Sequence, residues 1–170
     1  MRAALPADED ARLEALRELE ILDTAPEKEF DDLALIASQI CDTPISMISL
    51  VDRDRQWFKA TVGSDTKETP RDVAFCAHAI LQSGLFVIPD ATEDPRFADN
   101  PAVTADPGIR FYAGAPLRTP EGHALGTLCV LDRKPRRLIA FGSTRRTRAG
   151  TVKCSSSATT RMGHFPPLPR

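Results

Sequence analysis

Cys76 and His78 stand two positions apart in the run Ala74-Phe75-Cys76-Ala77-His78-Ala79-Ile80. A thiol beside an imidazole is the raw material of nucleophilic catalysis. The spacing disfavours that pair, because side chains at i and i+2 of a helix point in different directions. A cysteine acting alone needs an exposed, low-pKa thiolate, and Cys76 and Cys129 are the positions on which redox chemistry would rest. A metal centre would require Asp90 to join Cys76 and His78 through folding. No ligand-spacing motif supports that, so no metal is expected. The plainer reading is a packed cysteine and a helix-surface or capping histidine.

Large aromatic side chains could line a cavity. Alternation along a strand sets Trp57 and Phe58 on opposite faces, and likewise Phe111 and Tyr112, so one member of each pair can face a given space. Tyr112, with its polar tip, is the better ligand contact. The pocket candidates are therefore Trp57, Phe75, Cys76, His78, Asp90 and Tyr112. No phosphate-binding glycine loop, nucleophile elbow or kinase motif occurs, and no catalytic residue is expected.

The elements that must position these residues are legible as patterns. Residues 8–22 read as a helix with acids at its start and Leu13, Leu16 and Leu19 spaced three apart. Thr24 and Glu27 have the spacing of a capping box, with Pro26 in the first turn of a second helix running to about Cys41. Its apolar stripe is Phe30, Leu33, Ala34, Ala37 and Cys41, and Thr43-Pro44 stops it. Ile45–Val51 and Gln56–Val62 form a hairpin across Asp52–Arg55, with Phe58, Ala60 and Val62 on one face. Gly63 to Pro70 reads as a polar loop. Asp72 is placed to cap a short helix to Leu81, and Leu85–Asp90 is a strand ended or edged by Pro89. Strands at Arg110–Leu117 and His123–Asp132 close the pattern, and Gly114 and Gly126 mark close approaches within them. Strands linked by hairpins give an antiparallel sheet with helices on its faces.

Charge divides the chain. Residues 1–132 hold all 24 acidic side chains and twelve basic ones, whereas residues 133–170 hold ten basic side chains and no acid. The formal charge of −2 therefore averages a segment of −12 and one of +10. The chain has no apolar run long enough to span a membrane and no secretory signal pattern. Four scattered cysteines without a C-x-x-C pair suit reduced thiols in the cytoplasm.

Several strings stand out along the chain: Leu22-Asp23-Thr24-Ala25-Pro26, Ser49-Leu50-Val51-Asp52, Asp54-Arg55-Gln56-Trp57-Phe58-Lys59 and Phe75-Cys76-Ala77-His78-Ala79-Ile80. Asp94-Pro95-Arg96-Phe97, Phe111-Tyr112-Ala113-Gly114-Ala115-Pro116-Leu117 and Leu125-Gly126-Thr127-Leu128-Cys129-Val130 follow. In this order they resemble a GAF domain, of the subtype found at the N-terminus of bacterial sensor histidine kinases and cyclic-di-GMP enzymes. The resemblance implies an α+β fold, an α/β sandwich with an antiparallel sheet of five or six strands. It also implies a pocket for a small molecule or chromophore, and signalling to a kinase, cyclase or phosphodiesterase through terminal helices. Bilin attachment in phytochrome-type members uses a cysteine directly followed by histidine; Ala77 intervenes here, so a bilin is disfavoured and the cofactor is left unknown. The family's free methionine sulfoxide reductases carry their cysteines in a Gly-Lys-Gly-Val-Cys-Gly-like setting that this chain lacks.

The expectation is a cytoplasmic, non-enzymatic sensory module over residues 1–132. It would bind a small ligand or form a homodimer through its N-terminal helix. The alternatives are a redox-active domain using Cys76 or Cys129 and a ligand-free dimerisation module. After Asp132 the family continues into a long helix, whereas residues 133–170 read as a basic, Ser/Thr/Pro-rich and disordered tail. That composition could bind nucleic acid or an acidic membrane, or act as a linker. Truncation by an out-of-frame reading is preferred, with nucleic acid disfavoured and no membrane contact expected.

Overall fold

The structure is a computed structural model that describes residues 2–137. Readings of the tail from Leu138 onward lie outside the described residues. The described residues form ten helices and strands. They are α1 (Glu9–Glu18), α2 (Lys28–Cys41), β1 (Ile45–Val51), β2 (Arg55–Val62), β3 (Glu68–Pro70), α3 (Phe75–Ala79), β4 (Phe86–Ile88), α4 (Pro101–Thr104), β5 (Phe111–Arg118) and β6 (Ala124–Asp132). A 3-10 turn at Arg71–Val73 links β3 to α3.

The strands make one six-stranded sheet in the order β3-β2-β1-β6-β5-β4, with every neighbouring pair antiparallel. This is the α+β sandwich the resemblance implied. The sixth strand, β3, falls in the stretch expected to be a polar loop; three residues at a sheet edge carry too little apolar pattern to be legible. β1 is buried along its whole length, as its apolar residues on both faces require. On one face Leu16 of α1 packs with Leu50, Trp57 and Leu125, and Ala34 of α2 packs with Ile48 and Ala60. On the other face Met47, Phe58, Phe75, Phe97, Tyr112, Cys129 and Leu131 form the larger cluster.

Some local expectations are corrected. α1 ends at Glu18, and Leu19 is exposed rather than part of the buried stripe. α2 starts at Lys28 with Glu27 as its N-cap and no side-chain cap. Thr24 instead donates to the Ile21 carbonyl and accepts from the Lys59 ammonium. Leu33 of the expected stripe is exposed, while Ala34 is fully buried. Asp72 does not cap α3, whose N-cap is Ala74.

The largest departure is a β-bulge. Ser49 pairs with Phe58 and Ile48 with Ala60, so Lys59 is an extra residue in β2. A bulge puts two successive residues on one side. Phe58 and Ala60 consequently face opposite sides of the sheet, not the same one. The Lys59 side chain turns toward the helices and is fully buried. Its ammonium donates to Thr24 Oγ1 (2.6 Å), the Ala25 carbonyl (2.8 Å) and Glu27 Oε1 (2.5 Å). It thereby fixes the turn between α1 and α2.

Candidate functional site

Period-two alternation points Ile45, Met47 and Ser49 of β1 and Thr127, Cys129 and Leu131 of β6 away from α1 and α2, and Met47 stands opposite Cys129. Phe58 and Gln56 join them from β2, and Tyr112 from β5, opposite Leu131. Over this face lie α3, α4 and their loops. They enclose a cavity of about 500 Å³. Its walls are largely apolar, among them Ile45, Met47, Phe58, Phe75, Ile109 and Leu131. Asp65, Thr66, Asp106 and Arg133 also line it and are exposed, which makes them its mouth.

The floor is polar and buried. Cys76 Sγ accepts hydrogen bonds from the hydroxyls of Thr127 (3.0 Å) and Tyr112 (3.3 Å), and lies 3.9 Å from Cys129 Sγ. Ser49 Oγ lies 3.0 Å from Thr127 Oγ1 and extends the cluster. Burial alone would push the Cys76 thiol up, but hydrogen bonds from Cys129, Ser49, Thr127 and Tyr112 outweigh it and bring the group down to about 7. Cys129, bonded to Cys76 and buried, is pushed well up, and burial beside Cys76 does the same to the Tyr112 hydroxyl. The Thr127 and Tyr112 hydroxyls lie within hydrogen-bond distance of Cys76 Sγ, whereas the Cys129 thiol is turned toward Cys76 and the Met47 carbonyl at 3.6 Å. When one of the pair ionises, Cys76 therefore carries the charge.

Gln56 adds a second polar feature. Its side chain is buried in the cavity wall, Nε2 reaches Thr69 Oγ1 at 3.4 Å, and Oε1 has no hydrogen-bond partner. An unmet buried acceptor carries a desolvation cost of about 1–3 kcal/mol that a donor on a bound molecule would offset.

The six candidates separate. Phe75, Cys76 and Tyr112 line the cavity. Phe75 stacks between Tyr112 (5.3 Å) and Phe97 (4.4 Å), which fixes the rear wall. Trp57 is one residue before Phe58 and so lies across the sheet, packed on Leu16, Leu50 and Leu125. His78 points from α3 toward Phe97, with ring centroids 4.7 Å apart, and is buried rather than a surface or capping residue. Asp90 sits past the end of β4 and accepts from the backbone N–H (3.0 Å) and hydroxyl (2.7 Å) of Thr92, the bonds of a local turn. Neither His78 nor Asp90 is among the residues lining the cavity. Among the described residues no three His, Cys, Asp or Glu side chains gather as metal ligands.

The sequence pattern does not single out Gln56, Met47, Ser49 or Thr127. Thr127 nonetheless had a legible signal: it lies two residues before Cys129 on one strand, hence on the same face. Gln56 had none, because its role depends on an unmet bond.

Comparison with known proteins bears on the family and the fold. A cyclic di-GMP phosphodiesterase from Pseudomonas aeruginosa is 49% identical over 135 residues, covering 79% of this chain and 23% of that protein. The chain thus spans under a quarter of the length of that curated relative. The GAF domain of a phosphoenolpyruvate-protein phosphotransferase from Coxiella burnetii superposes with a TM-score of 0.55 at 14% identity, covering 76% of this chain and 82% of that one. A free methionine-R-sulfoxide reductase from Neisseria meningitidis, solved with its substrate, superposes with a TM-score of 0.54 at 16% identity, covering 81% and 83%. At such identities these two show the fold alone. Among the described residues no helix is long and apolar enough to cross a membrane. The GAF-domain family profile matches residues 25–149, and the chain belongs to the GAF-domain family.

Proposed function

We propose that this GAF domain is a non-catalytic, cytoplasmic sensory module whose cavity takes a small organic ligand and whose occupancy regulates a bacterial signalling protein. The cavity carries the reading: about 500 Å³, apolar walls, and an unpartnered buried acceptor at Gln56 Oε1. That size suits a small metabolite. The ligand class is a largely apolar molecule with one N–H or O–H donor directed at Gln56. Since this chain corresponds to 23% of the Pseudomonas phosphodiesterase, cyclic di-GMP turnover is assigned to a separate module and the GAF domain to its control.

The domain boundary is proposed a few residues beyond Asp132. Arg133 Nε donates to the Pro107 carbonyl (3.1 Å), and the Arg136 N–H donates to the Pro89 carbonyl (3.0 Å). The Arg136 guanidinium also pairs with Asp132.

Homodimerisation through the N-terminal helical layer belongs to the same proposal. Leu33, Ile36 and Ile40 recur along an exposed side of α2, with Leu19 exposed at the end of α1. A second copy of the chain would cover them. Sedimentation of wild type and of Ile36→Glu/Ile40→Lys separates the cases: a dimer in the first and a monomer in the second is expected, and monomer in both removes the dimer.

Ligand binding is tested by native mass spectrometry of the chain purified from a bacterial host, followed by thermal-shift screening of small metabolites. A bound species displaced by Gln56→Leu is expected. A cavity that retains nothing and answers to no compound would overturn the reading. A visible absorbance band would instead bring a chromophore into the pocket.

A further inference from the structure

The cavity floor holds two thiols from distant parts of the chain, Cys76 on α3 and Cys129 on the central strand β6. Their sulfurs are 3.9 Å apart, with no residue between them, and both line the cavity. Buried cysteines are usually inert for want of access and ionisation. This pair differs in both respects. The cavity opens to solvent past exposed Asp65, Thr66 and Asp106, which gives a small oxidant a path to the sulfurs. The hydroxyls of Thr127 and Tyr112 point at Cys76 Sγ and stabilise negative charge there, while Cys129 keeps its proton.

We propose that Cys76 and Cys129 are a peroxide-oxidisable dithiol, closing to an intramolecular disulfide that ties α3 to the sheet. The Cys76 thiolate gives an electron pair to one oxygen of hydrogen peroxide, and the O–O bond breaks. The departing hydroxide takes up the proton lost when Cys76 ionised and leaves as water. Cys76 is now a sulfenic acid, oxidised by two electrons, and the peroxide is reduced. The Cys129 sulfur then attacks the Cys76 sulfur, the S–O bond breaks, and hydroxide leaves with the Cys129 proton as a second water. Two thiols and one peroxide become one disulfide and two waters. The sulfurs must approach to about 2 Å for the bond, a displacement that rotation of the cysteine side chains supplies. A dithiol reductant reverses the step by thiol–disulfide exchange.

Closure withdraws the Cys76 sulfur from the Tyr112 and Thr127 hydroxyls, so the polar floor is rearranged with redox state. The proposal does not depend on a ligand: failure of ligand binding leaves the thiol chemistry untouched, and the reverse also holds.

The test uses the full chain, fully reduced, exposed to a small excess of hydrogen peroxide, then alkylated and mapped by peptide mass spectrometry. The expected product is one cross-linked peptide pair containing Cys76 and Cys129, short by two hydrogens and restored by a dithiol, with Cys41 and Cys154 still alkylated. In Cys129→Ala the reaction is expected to stop at the sulfenic acid of Cys76, captured by dimedone. In Cys76→Ala peroxide consumption should fall at least ~10-fold, since the thiolate is the nucleophile. Recovery of Cys76 and Cys129 as free thiols while Cys41 or Cys154 oxidises would overturn the proposal. So would sulfinic acid at Cys76 in wild type at the same rate as in Cys129→Ala. Wild-type mapping decides by itself if either variant fails to fold.

Discussion

Gly114 is the space into which Tyr112 leans: a β-carbon at Gly114 would overlap the Tyr112 hydroxyl and stand 2.7 Å from the ring carbon that bears it. The two residues share one face of β5, and Gly114 stands opposite Cys129. The missing side chain lets the ring run along the strand until its hydroxyl reaches Cys76. The glycine is therefore part of the cavity floor although it contributes no atom to its chemistry.

Gly114→Ala should accordingly cost about 1–3 kcal/mol, the range for overpacking a filled interior. Urea denaturation followed by the fluorescence of Trp57, which lies across the sheet, measures it. Gly126→Ala should cost more, because its β-carbon would meet the Ser49 carbonyl group and the Leu50 α-carbon, which are backbone and cannot swing aside. Equal stability of Gly114→Ala and wild type would mean that Tyr112 is free to move.

Glu9 joins two guanidiniums. Its carboxylate accepts from Arg12 Nε and Nη2 (both 2.9 Å) and from Arg71 Nη1 (2.5 Å) and Nη2 (3.2 Å). Burial would raise this carboxyl, but the two arginines win and hold it at about 2, below its ordinary value of 4.5. A depressed carboxylate stabilises the fold fully above its unfolded pKa and loses that contribution as pH falls through its folded one. Acid titration of stability should show a loss on the order of 2–3 kcal/mol between roughly pH 4.5 and 2. In Glu9→Gln that segment should flatten. The variant should also be weaker at neutral pH by roughly 3–5 kcal/mol, because Arg12 is left buried with an uncompensated charge. An unchanged acid profile would contradict the account.

Cys76 should alkylate along a pH curve with its midpoint near 7, below that of an ordinary thiol. Iodoacetamide kinetics read by peptide mass spectrometry give the curve residue by residue. Replacing both hydroxyls, in Tyr112→Phe/Thr127→Val, removes two donors to the thiolate and should raise the midpoint by about one unit or more. A midpoint that ignores the double substitution would show that the hydroxyls do not set it.

Lys59 should govern the integrity of the segment between α1 and α2. Lys59→Ala removes an apolar stem and a charge that three acceptors surround, with an expected cost of about 1–3 kcal/mol. Limited proteolysis should then cut within residues 23–27 before any other internal site. Lys59→Met keeps the stem but leaves the Ala25 carbonyl and Thr24 without their donor, and should fall between Lys59→Ala and wild type. Cleavage first at another loop in both variants would remove the role assigned to Lys59.

Much of the fold was legible because long periodic runs leave little choice. The apolar row of β1, the pair of closing strands and the amphipathic α2 each follow from spacing. What escaped depended on single backbone irregularities or distant partners. Nothing in Gln56–Val62 announces that Lys59 is an inserted position, and the bulge reverses the facing of Ala60 relative to Phe58. Glu9 reads as one of several acids favouring a helix start, yet its role requires Arg71, 62 positions away. Strand parity was enough to separate Tyr112 from Phe111. It could not say which side of the sheet bears the cavity, and so it admitted Trp57. Cys76 was singled out for its neighbour His78, whereas its working partner is Cys129, 53 positions on.

The arginine pair around Glu9 has a mechanical meaning. Arg71 also donates to the carbonyls of Asp52 (3.0 Å) and Arg53 (3.2 Å) at the β1–β2 turn, and the cavity wall begins two residues later at Val73. The strip from Val73 to Cys76 is thus bolted at one end to the first helix of the chain. An outward displacement of that strip would have to stretch or break the Arg71–Glu9 ion pair, so the seat of the pocket wall and the seat of α1 are one contact.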